Sequence, residues 1–265
     1  MSVASAVRFR PRSTLMLLLA SAGGLAAFLW PLLVQPGAAL ESTSAPLVFA
    51  LLLPVLLAVV LAEVSEGGID TKAIAMLGVL SAIGAALRPL GAGTAGVELI
   101  FFLLVLAGRV FGPGFGFVLG STTLFASALL TGGVGPWMPF QMLGAAWFGL
   151  GAGLLPAARG RAEIALLAAY GSVAALLYGA LMNLSFWPFA LGEHTQLSFD
   201  ASRSLLENLH AFVLFTLSTS MAWDIGRAVT TGVLVVLTGP AVLAALRRAA
   251  RRAAFAAPVE FAPGR

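Results

Sequence analysis

The chain has 265 residues, of which 60% are apolar and only 10% charged, with a mean hydropathy of +1.00. A soluble domain carries roughly 25% charged residues, so this chain lacks the polar surface of a water-soluble fold, and lipid must be part of its solvent. Its formal charge of +4 sits in short Arg and Lys clusters between apolar runs, a distribution that sets membrane orientation and excludes a nucleic-acid footprint.

In hydrocarbon every backbone amide needs an internal partner, which leaves helices or a closed barrel. A barrel would alternate apolar and polar residues over segments of about 10, whereas Leu, Ala, Gly and Val run continuously here. An all-α integral membrane protein with eight spans is therefore predicted. The first is 14–34. Arg8, Arg10 and Arg12 precede it, and Ala20-Ser21-Ala22 resembles a cleavage site. The apolar run nevertheless continues for about 20 residues, the length of a full span, which favours a retained helix. The second span is 46–62, followed by a polar, Gly-containing linker from Glu63 to Asp70. Residues 1–70 thus read as a tail and two accessory helices, ahead of a six-helix core at 71–252 and a flexible tail at 253–265.

Within that core the expected spans are 73–87, 92–108, 113–131, 136–155, 163–183 and 224–246. The stretch 205–223 is apolar enough to be helical but contains Glu207, Asn208 and His210. Counted as a crossing, it would send Arg247, Arg248, Arg251 and Arg252 to the outside. It is expected instead to lie on or dip into the outer face, making 185–223 an external cap before the last helix. With both termini cytoplasmic, only Arg88, Arg203 and Arg227 of the 15 basic residues face outward, as the positive-inside rule requires.

Chemistry-bearing residues collect at the expected outer ends. Arg88 ends one span and Glu98 begins the next, so the two could pair across the Gly-rich loop; an interfacial Arg reaching for headgroups is the equal alternative. Gly132 to Leu143 combines a tight turn with Pro136 and Pro139, which suit the first turn of a helix. Trp137, Met138 and Gln141 then offer aromatic, soft and amide surface at its top. An aromatic belt would explain Trp137 but needs neither Met138 nor Gln141. Asp224 and Arg227 share a helix face three residues apart and can pair, with Asp224 a candidate N-cap. Asn183, Trp187 and Trp223 lie on the same side. Polarity at one rim suits capture from outside.

Gly78, Ala82 and Ala86 stack at i, i+4 and i+8, where another helix could approach closely. Alanine and glycine are abundant throughout, so the pattern alone is a weak signal. No Walker A loop, HExxH or GxSxG string occurs. Two histidines and no cysteines leave little to hold a metal, and no cofactor is expected.

The stretch 73–90, the Ala-Gly-Arg-Val-Phe-Gly-Pro string ending at Pro113, the Gly-Pro-Trp-Met-Pro-Phe-Gln string ending at Gln141, and Trp-Asp-Ile-Gly-Arg ending at Arg227 together resemble the substrate-specific (S) components of energy-coupling factor (ECF) transporters. The nearest branch is the one associated with cobalamin. The resemblance spans about residues 71–252. It implies a six-helix binding subunit with an external vitamin pocket, working with a transmembrane coupling subunit and two cytoplasmic ABC ATPases. It also implies docking through an AxxxA motif, matched by Ala82 and Ala86, and release by tipping of the loaded subunit in the membrane. The two accessory helices and the long external insert depart from that pattern. Alternatives from other classes are a membrane enzyme acting on lipid or polyprenyl substrates and a self-sufficient secondary transporter.

Overall fold

A computed structural model describes residues 11–33, 55, 58, 71–91, 94–191 and 195–253. Among these, eight helices are present and no strand: α1 Pro11–Leu33, α2 Thr71–Gly91, α3 Phe101–Phe111, α4 Pro113–Thr131, α5 Met138–Leu154, α6 Gly160–Ala190, α7 Leu205–Thr219 and α8 Met221–Ala253. Four of them (α2, α4, α6 and α8) are long and apolar enough to cross a bilayer. The protein is an all-α, multi-pass membrane protein. The second expected span, 46–62, lies outside the described residues apart from Val55 and Ala58, which are helical. The expected loose tail is likewise outside them except for Ala253.

Charge-free stretches explain the long helices. Residues 228–246 of α8 and 164–182 of α6 contain no Asp, Glu, Lys, Arg or His. The two helices run antiparallel, with Gly239 near Ile164 at one end and Gly179 against Asp224 at the other. Both outgrow their predicted limits: α6 extends past residue 183 to Ala190 and α8 past 246 to Ala253.

The tightest seam joins α4 to α5. Gly116 and Gly120 face Gly149 and Ala145, and a Cβ added at Gly116 or Gly149 would collide with the opposing backbone. Spacing by four residues lets the two backbones touch, the small-xxx-small geometry of membrane helices. Phe101, Phe115, Phe117, Phe140 and Leu104 are fully buried around it. On α1, Phe28 packs edge-on against Phe140 at 4.8 Å, and Ser21 accepts a hydrogen bond from the Trp147 indole at 3.0 Å.

One expected span is corrected. The stretch expected at 92–108 is built differently: its helix is α3, only 11 residues long, or about 16 Å against a hydrocarbon core of about 30 Å, so the chain passes from Glu98 at one end to Arg109 at the other as a turn followed by a short helix. Ala95 and Gly96 have φ of 42° and 78°, so a turn displaces helix before Phe101. That turn sits against the start of α8, where Gly226 leaves space for the Ala95 carbonyl and Gly96 for that of Trp223.

Residues 195–219 form a small separate core. Trp187, Leu184, Ala211, Phe212 and Phe215 are buried together, and α7 starts with a capping box in which Ser204 and Glu207 exchange hydrogen bonds. The Ser204 hydroxyl, then its amide, hold the Glu207 carboxyl below its ordinary value. The next helix begins at Met221, so Asp224 lies within the first turn of α8 and is not its N-cap.

Candidate functional site

The first turns of α8 carry a buried ion triad. Arg227 donates from Nε to Glu98 Oε1 and from Nη1 to Asp224 Oδ1, each at 2.7 Å. Its guanidinium carbon lies 5.3 Å from the Tyr178 ring centre and 6.0 Å from that of Phe101, within reach of cation–π attraction. Gly179 makes the arrangement possible, because a Cβ there would overlap the Asp224 carboxylate. One guanidinium between two carboxylates leaves the triad with one surplus negative charge.

Arg88 takes different partners from those expected. It donates from Nη2 to Gln141 Oε1 at 2.9 Å and from Nη1 to Ser127 Oγ at 3.5 Å, while Glu98 binds Arg227. The loop before α3 carries Glu98 toward α8, which is why the short-range Arg88–Glu98 pair does not form. Arg88 is thus cradled by an amide and a hydroxyl. Below it, Ser81 and Thr122 share a hydrogen bond of 2.7 Å, and Ser121 and Thr123 are buried hydroxyls with no partner. This hydroxyl-bearing face of α4 was not singled out in the sequence. Its Ser-Thr-Thr run at 121–123 was the available signal.

The remaining candidates divide. Trp137 is 52% exposed and ends the turn before α5, whereas Met138 is 3% exposed and belongs to the core. Asn183 donates to Ser220 and to Thr216, tying α6 to the break between α7 and α8. Trp223 is partly exposed on α8. Trp187 is set apart from this group: its indole donates to the Leu197 carbonyl at 2.6 Å and its ring meets Phe199 and Phe212. It fastens the cap. A cavity of about 930 Å³ on α7 is lined by Gln196, Arg203, Glu207 and His210 with apolar neighbours, and none of the ten expected binding residues borders it. Among the described residues no group of three His, Asp or Glu could hold a metal.

Gly78, Ala82 and Ala86 are all exposed along one face of α2, while Ala73, Leu77, Leu80, Ser81, Gly84 and Ala85 are buried on the other. Nothing lies within 4 Å of a Cβ built at Gly78. Among the described residues the stripe has no partner.

A second triad lies at the opposite end of α6 and α8. Glu163 Oε1 accepts from Arg109 Nε at 2.8 Å and Arg247 Nη2 at 2.7 Å, and Arg109 also donates to the Leu155 and Ala158 carbonyls. Arg227 and Arg247 are twenty residues apart on α8, about 30 Å of helix, which equals the hydrocarbon thickness. The triads therefore mark the two faces of the bilayer.

The family model for the ECF transporter substrate-specific component matches residues 72–246, well over half of the chain. No curated protein and no solved structure matches it. The chain belongs to the substrate-specific components of ECF transporters, a family of transporter subunits and not of enzymes, and it is the substrate-binding membrane subunit of such an importer.

Proposed function

We propose that this S component captures a vitamin, with cobalamin the first candidate, at the rim formed by Arg88, Glu98, Trp137, Gln141, Asn183, Trp223, Asp224 and Arg227. This rim faces the cell exterior, and both termini are cytoplasmic in the plasma membrane. The observation that carries the reading is the gathering of these side chains from α2, α5, α6, α8 and the loop before α3 at one end of the bundle. Polar groups at membrane depth are rare and pair with one another, as Arg227 does with Glu98 and Asp224, and such a cluster marks a functional site. Arg88, held by neutral acceptors, keeps a full positive charge for a ligand acceptor.

The partners are a transmembrane coupling subunit and two cytoplasmic ABC ATPases. The coupling subunit docks on the exposed stripe of Gly78, Ala82 and Ala86, where small side chains allow close helix approach. Residues 1–70 are accessory to this core, which spans 71–252.

Gentle purification followed by mass spectrometry of the retained small molecule tests the ligand, with a corrinoid expected. Gln141→Ala should release that molecule while the protein stays folded, and wild-type retention would remove Gln141 from the site. Ala86→Trp should strip the coupling subunit and ATPases from the purified complex and spare ligand retention. Equal loss of both would make that face structural.

A further inference from the structure

We infer that the seam between α6 and α8 at the Arg247 end binds one anionic phospholipid, with its phosphate at Arg161 and Arg247 and an acyl chain in the groove below them. A cavity of about 610 Å³ is lined there by Arg161, Glu163, Ile164, Val236, Pro240 and Arg247, among others. A second, of about 490 Å³, continues along the same seam past Val236 to Val229 and Gly232. Cations therefore sit at the mouth, and only apolar or hydroxyl-bearing walls lie beneath. A free phosphate would gain nothing from those walls, whereas a lipid matches both parts.

The length fits as well. From Arg247 to Val236 is eleven residues, about 16 Å along α8, close to half the hydrocarbon core of about 30 Å. That is the depth of one leaflet. Pro240 lines the groove, and its ring cannot donate the helical hydrogen bond to residue 236.

Charge selects the headgroup. The segments 155–163 and 247–253 hold Arg159, Arg161, Arg247, Arg248, Arg251 and Arg252 against a single carboxylate, Glu163. That carboxylate is already shared by Arg109 and Arg247. Arg161 is exposed, and Arg247 keeps 37% of its side chain accessible while binding Glu163. Each arginine near an anionic surface contributes about 1 kcal/mol, or about fivefold in affinity. A zwitterionic lipid has no net charge to answer this excess. The site is separate from the α2 stripe, which is on another helix, and from the solute rim, which occupies the opposite ends of the same α6 and α8.

The experiment places the full chain in nanodiscs of phosphatidylcholine with a minor fraction of phosphatidylglycerol and reads retained lipid by native mass spectrometry. One phosphatidylglycerol should be retained in preference to phosphatidylcholine and should survive added inorganic phosphate. Arg161→Gln should lower its retention about fivefold, Arg161→Lys should restore most of it, and Val236→Trp should abolish it by filling the groove. All three variants should melt at the wild-type temperature, since these positions face outward. Equal retention of the two lipids, displacement by inorganic phosphate, or unchanged retention in both Arg161→Gln and Val236→Trp would overturn the assignment. Loss of the coupling subunit from the Val236→Trp complex would overturn it too, by making the seam a protein interface.

Discussion

Two ion triads of opposite composition cap the same pair of antiparallel helices. At one end a single Arg227 is shared by Glu98 and Asp224; at the other a single Glu163 is shared by Arg109 and Arg247. The first is the more enclosed, with Arg227 at 7% and Asp224 at 5% side-chain exposure. In the second, Arg247 remains a third exposed, and Arg109 has carbonyl acceptors in addition to the carboxylate. A buried group with one kind of partner is vulnerable; a group with alternatives is not. The acid-rich triad should therefore tolerate substitution poorly, and the arginine-rich triad at the other end should tolerate it better.

The largest effect should come from Arg227→Met, which strands two carboxylates. Breaking a buried pair by removing one partner costs about 3–5 kcal/mol, and thermal unfolding in detergent should register it. Adding Glu98→Gln to that variant removes one stranded charge and should recover part of the loss. No recovery would mean that the three groups are not coupled. Glu163→Gln is expected to cost less, about 1–3 kcal/mol for weakened charged hydrogen bonds, because Arg109 retains its carbonyl acceptors. Arg247→Gln should cost at most about 1 kcal/mol, in keeping with its exposure. A loss from Arg247→Gln as large as that from Arg227→Met would erase the proposed difference between the two ends.

The cap offers a pH effect of its own. Glu207 has a depressed pKa in the fold, so its stabilising contribution is complete above the unfolded carboxylate value and is lost as pH falls through the lower, folded value. The cap helix should loosen in that acidic window, and Glu207→Gln should remove the dependence. Comparing the change in Trp187 fluorescence with pH between wild type and Glu207→Gln reads it, since that indole is buried in the cap core. Identical pH profiles would show that the capping box is not the titrating element.

Local pattern explains what the sequence could disclose. Uninterrupted apolar runs fix α2, α4, α6 and α8 because length and hydropathy determine spanning helices. The Asp224–Arg227 pair was legible because three residues along a helix bring side chains together. A pair with Arg88 is the one the sequence suggests for Glu98, whereas its partner Arg227 lies 129 residues away and meets it through the turn at Ala95 and Gly96. That same turn replaces helix in the first part of an expected span. Trp187 read as a rim residue from its position at the end of an apolar run, yet the cap folds back to bury it. The glycines of α4 and α5 become a seam only because their backbones face each other, which no local pattern announces.

The central claim is that the Arg88 and Asp224 end faces outward and receives the solute. Because the chain has no native cysteine, Trp137→Cys and Arg251→Cys can each be introduced as a single reactive site and treated in intact cells with a membrane-impermeant maleimide. The account predicts labelling at position 137, slowed by saturating ligand, and none at 251 until the cells are opened. Labelling at 251 in intact cells with protection at 137 would contradict it.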